Sequence, residues 1–88
     1  MKPLNYAILK FMTTVEDACA EDIIAALRNI YGNFKAFTPK AITETLLTAE
    51  VNGLLEQSRC ELDANGELRL FFRAHTEGAA AINRYIRE

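Results

Sequence analysis

The stretch Leu54-Leu55-Glu56-Gln57-Ser58-Arg59-Cys60-Glu61-Leu62-Asp63-Ala64-Asn65-Gly66-Glu67-Leu68-Arg69-Leu70-Phe71-Phe72-Arg73 changes the rhythm of the chain. Before Glu56, apolar residues recur every three or four positions; after it the period is two. Arg59, Glu61 and Asp63 alternate with Cys60 and Leu62. Asp63-Ala64-Asn65-Gly66 follows, and Asn-Gly between alternating runs is the strongest short hairpin signal. On the returning strand, Glu67, Arg69 and Arg73 take odd positions, and Leu68, Leu70 and Phe72 take even ones. That is the pattern of a half-buried strand in an antiparallel ribbon.

Helices flank this ribbon. Leu4, Ala7, Ile8, Phe11 and Met12 form one apolar stripe that stops around Thr13-Thr14. Val15 to Cys19 leaves room for only a very short extended piece. Ala20, Ile23, Ile24, Leu27, Ile30 and Tyr31 mark a second helix. Glu21 and Asp22 suit the positive end of its dipole, and Gly32-Asn33 stops it. A third helix opens at Thr38-Pro39, an N-cap followed by proline at the first helical position. Ile42, Leu46, Ala49, Leu54 and Leu55 supply its buried side, Gly53 ends it, and Leu47 and Val51 fall off that stripe. Thr76 is expected to cap a last helix with Ala79, Ile82, Tyr85 and Ile86 as its stripe. The second and third helices are joined by a short turn at about Asn33 to Phe37. The order predicts a mainly helical α+β domain over residues 1–88. A helix-turn-helix pair followed directly by a β-hairpin is the outline of a winged helix.

Composition narrows the function. Of 88 residues, 50% are hydrophobic and 25% charged, as in ordinary globular domains. Ten Lys+Arg against twelve Asp+Glu give a formal charge of −2, which argues against holding nucleic acid by bulk charge alone. The apolar runs are far shorter than the ~20 residues that span a bilayer. A cytoplasmic protein with no membrane partner is expected. Cys19 and Cys60 are expected to be free thiols, since two cysteines make no disulfide framework. Catalysis finds no support. His75 is the one histidine, Ser58 the one serine, and neither belongs to a nucleophile motif. Cys19, Cys60 and His75 lack metal-ligand spacing, and no Gly-rich phosphate loop is present. No catalytic residue, metal or cofactor is expected.

The stretch Ile42-Thr43-Glu44-Thr45-Leu46-Leu47-Thr48-Ala49-Glu50-Val51-Asn52-Gly53-Leu54-Leu55-Glu56 resembles the end of the recognition helix in winged helix-turn-helix regulators of the PadR and MarR groups. Ile42, Leu46, Ala49, Glu50 and Gly53-Leu54-Leu55 occupy the matching positions. Phe72-Arg73-Ala74-His75-Thr76-Glu77-Gly78 is similar to the end of their wing. The resemblance implies transcriptional regulation, with the third helix in the major groove of duplex DNA and the wing on the backbone. Lys40, Thr43, Glu44 and Thr48 would then stand on the reading face, beside Leu47. Lys40 suits phosphate or guanine, Thr43 phosphate or a thymine methyl, and Glu44 cytosine. Arg59, Arg69 and Arg73, with Asn65 at the tip, would form the wing's phosphate-binding surface, and Lys35 would add a cation before the third helix. The competing expectation is that the wing arginines pair across the hairpin with Glu61 and Glu67.

Glu16, Asp17, Glu21 and Asp22 form an acidic cluster expected to lie away from the DNA. Regulators of this kind act as dimers, and here the first and last helices, with Tyr6, Tyr85 and Ile86, are the expected homodimer surface. A second function class is a winged helix that binds a protein instead of DNA. A neutral or acidic third-helix face with an apolar patch at Leu47 would favour it.

Overall fold

Thr38 begins the helix on which the site depends. Its Oγ1 accepts a hydrogen bond from the Ala41 amide at 3.2 Å, and Pro39 takes the first helical position. At the other end Gly53 adopts φ +80, and the amides of Leu54 and Gly53 donate to the carbonyls of Ala49 and Glu50 at 2.9 and 3.0 Å. These two bonds form a Schellman motif, which satisfies carbonyls the helix leaves open. The computed structural model describes residues 1–87. In chain order the elements are α1 (Leu4–Met12), α2 (Ala20–Tyr31), α3 (Pro39–Val51), β1 (Glu56–Leu62), β2 (Leu68–Arg73) and α4 (Thr76–Tyr85). The described residues form a small α+β unit of four helices and one antiparallel hairpin, in the expected order.

The hairpin pairs Leu62 with Leu68, Cys60 with Leu70, Arg59 with Phe71 and Glu56 with Arg73, with a bulge between Gln57 and Arg59. Its turn differs from the two-residue loop that Asn-Gly alone favours. Among the described residues no non-glycine residue has positive φ, so Asn65 stays right-handed and within the turn Gly66 (φ +79) is left-handed. Asp63 is the reason. Its Oδ1 accepts from the amides of Asn65 and Glu67, both at 2.9 Å, and its carbonyl accepts from Gly66. The side chain thus builds a three-residue loop.

The short piece between α1 and α2 completes the sheet edge. Ala18 and Phe72 exchange both backbone hydrogen bonds, at 3.0 and 2.9 Å. β2 therefore lies between β1 and this single bridging residue. Phe72, fully buried, carries the sheet into a core of Ile8, Met12, Ile23, Ile42, Leu46 and Ile82. Burying side chains of this size contributes about 1.5–3 kcal/mol each.

Several sequence expectations are corrected. Ile30 is exposed, because the buried line of α2 runs through Ile23, Leu27 and Tyr31 and leaves Ile30 to one side of it. Leu68 is exposed opposite Leu62, because the hairpin extends beyond the helices that cover its base. The cap of α4 is His75, not Thr76: its Nδ1 accepts from the Gly78 amide at 3.0 Å. Tyr85 points to solvent, while Ile86 just beyond the helix is buried. Cys19 is buried and Cys60 exposed, and both are free. Burial pushes the Cys19 thiol above its usual pKa, which leaves it protonated and unreactive.

Candidate nucleic-acid interface

The outward stripe of α3 runs through Lys40, Glu44, Leu47, Thr48 and Val51, with Thr43 half-buried at its side. Lys40 Nζ lies 4.0 Å from Glu44 one turn on. With Glu50, the helix carries two acids against one base. Lys35 stands exposed in the turn before it. A cleft of about 280 Å³ beside the helix draws Glu44, Thr45 and Thr48 toward Asn5 and Leu9 of α1. Thr45 Oγ1 spans it to Asn5 Oδ1 at 3.3 Å. The exposed face is chemically divided: polar and charged at its amino-terminal half, apolar at Leu47 and Val51.

On the hairpin, strand alternation puts Arg69, Phe71 and Arg73 on one side of β2, and register adds Arg59 opposite Phe71. The three arginines share a face, and each is engaged by a carboxylate. Arg73 Nε donates to Glu56 Oε2 at 2.5 Å, directly across the strands. Arg69 Nε lies 3.5 Å from Asp63 Oδ2, an ion-pair distance, and is shielded from solvent with no hydrogen-bond partner. Glu67, the partner expected from the sequence, is engaged through its amide instead. Arg59 stacks on the Phe71 ring, 3.8 Å from its centroid. From there it donates to Asp17 through Nε at 3.0 Å and Nη2 at 3.4 Å, and it pairs with Glu61 through Nη1. Asn65 is exposed at the tip.

No family model, curated protein or solved structure matches the chain.

Of the acidic cluster, Asp17 is drawn against the hairpin. The Ala18–Phe72 bridge draws the segment before α2 alongside β2, so Asp17 meets Arg59. The Arg59 hydrogen bond holds the Asp17 carboxyl below the usual carboxylate range. That bond likewise raises the Arg59 guanidinium, and the charge of Asp22 adds to the effect. Arg69 is desolvated, yet the fields of Glu21 and Asp63 still raise it. Asp63 is held low, chiefly by the Glu67 amide. Sequence reasoning missed Asp17 and the Phe71 platform. Asp17 adjoins the one residue that pairs with β2, a contact that spans more than fifty positions and leaves no periodic signal.

Among the described residues no group of three or more His, Cys, Asp or Glu is placed to hold a metal ion. Among them, too, no helix is long and apolar enough to cross a membrane.

Proposed function

We propose that this chain is a winged helix domain of the cytoplasm that binds duplex DNA as a transcriptional regulator. The observation that carries this reading is the Thr38-capped α3, whose exposed amino-terminal half presents Lys40, Thr43 and Glu44 just after Lys35. Recognition helices read base edges with their amino-terminal residues. The wing arginines support it: their side chains remain 37–55% exposed despite their ion pairs. Exposed pairs of this kind are worth about 0–1 kcal/mol, so phosphate can displace them. With so few unpaired cations, each domain makes roughly two to four phosphate contacts, which gives weak, salt-sensitive binding. A homodimer through α1 and α4 would double that. Tyr6 and Tyr85 are exposed there, beside a cleft they share with Met1 and Ile86.

Backbone amide shifts recorded during titration with a short random duplex test this reading. Shifts concentrated on residues 35–48 and 59–73 are expected. Shifts confined to α1 and α4, or none, would contradict it.

The paired arginines, the net acidity of α3 and the exposure of Leu47 and Val51 favour a second reading, a winged helix that binds a protein partner through α3. Val51, 85% exposed, stands at the apolar end of that face. Val51→Asp adds an acid to the face that would approach DNA, so it weakens duplex binding on the first reading. If α3 instead serves only a protein, the wild type shows no duplex binding for the substitution to change.

A further inference from the structure

Arg59 is the one wing cation whose donors are directed at carboxylates on both sides. Its side chain leaves β1, crosses β2 over the Phe71 ring, and meets Asp17 beyond the far edge of the sheet. The two-pronged contact through Nε and Nη2 is the geometry with which guanidinium grips phosphate. Nη1 is turned to Glu61. Asp17 is itself fixed. Its neighbour Ala18 is bonded to Phe72 on both sides of the peptide unit, and Ser58 Oγ donates to its Oδ2 at 3.1 Å. The carboxylate sits on a pinned backbone and the guanidinium on a long flexible stem.

We infer that Asp17 is a built-in phosphate mimic that holds Arg59 over Phe71 at rest and competes with nucleic-acid phosphate for its guanidinium. The inference rests on the DNA-binding reading above. Glu61 and Asp22 strengthen the competition from the flanks, one by direct pairing and the other through its field. The pair is nearly half open to solvent on the arginine side, so exchange needs only a side-chain rotation, with no change in the sheet. The device sets a threshold. A free phosphate at low concentration competes poorly with the tethered carboxylate, whereas a polyanion already held at Lys35, Lys40 and the hairpin brings phosphate to Arg59 at high local concentration.

The test uses the full chain and a labelled random duplex of about 20 base pairs, titrated at ~50 and ~200 mM salt. Asp17→Asn is expected to bind about two- to fivefold tighter than wild type at the lower salt, the scale of one exposed ion pair. Its log–log salt slope should stay close to that of the wild type, because Arg59 meets phosphate in both complexes. Arg59→Gln on the Asp17→Asn background should erase the gain. If the wild type binds and Asp17→Asn binds no tighter, or if the gain survives Arg59→Gln, the competition is overturned while DNA binding stands. If neither protein binds, the DNA-binding reading fails and the inference with it. Should Asp17→Asn not fold, the Arg59 Nε–H resonance of the wild type gives the answer: displacement by duplex supports competition, and an unchanged signal in saturated complex overturns it.

Discussion

Gly78 lies against the carbonyl of Leu54 so closely that a Cβ there would sit 2.0 Å from the oxygen. The first turn of α4 is thereby docked on the chain where α3 hands over to β1. Two structural junctions meet at one contact: the Schellman exit of α3 and the His75-capped start of α4.

Gly78→Ala forces these backbones apart. Overpacking of this kind typically costs 1–3 kcal/mol, and backbone has less room to yield than side chains, so a loss of at least about 2 kcal/mol is expected. Chemical denaturation measures it. A midpoint unchanged from wild type would show that α4 moves away freely.

His75 acts as a cap, and removing a cap costs about 0.5–2 kcal/mol. His75→Ala should lose that amount, while His75→Asn, which keeps an acceptor, should retain most of it. Equal destabilisation by both substitutions in thermal melts would mean that packing, not capping, fixes the residue.

Much of this architecture is legible in the chain. Thr38-Pro39, Gly53 and the switch to alternation after Glu56 give the start of α3, its end and the hairpin, because each depends on local backbone chemistry. Three other features are not legible. His75 displaces Thr76 as the cap because the helix starts one residue earlier than expected, with Thr76 as its first residue and His75 Nδ1 accepting from the Gly78 amide. The exposure of Ile30 and Leu68 depends on where the core ends, which a periodic pattern does not encode. The site is read least well. Lys40, Thr43 and Glu44 stand on the outward side of α3 as its stripe indicates, but the wing arginines take their environment from Asp17, Glu56 and Asp63, and only one of those partners lies on the facing strand.

Acid should loosen the wing. Asp17 and Asp63 are both held below the ordinary carboxylate pKa in the folded chain, by Arg59 and by the Glu67 amide respectively. Their contribution is therefore fully present above the unfolded value of about 4 and is lost as pH falls through the depressed folded values. Denaturation midpoints measured from pH 6 down to pH 2 should fall steeply below about pH 4. Asp17→Asn should start lower and fall less. Parallel curves for the two proteins would contradict the linkage.

Lys40 is the one cation of α3. Lys40→Ala should weaken duplex binding across all sequences and reduce the salt slope by about 1, as expected for a phosphate contact. A loss confined to one sequence would instead assign Lys40 to a base edge. Glu44→Gln should tighten binding to random duplex by removing a like charge from the phosphates.

The most direct measurement is fluorescence anisotropy of the wild-type chain against a random duplex at ~50 mM salt, where phosphate contacts are strongest. Saturable binding that weakens with a log–log slope of roughly −2 to −4 as salt rises is the expected result. A flat titration to high micromolar protein would contradict DNA binding and leave the exposed apolar half of α3 as a protein-docking face.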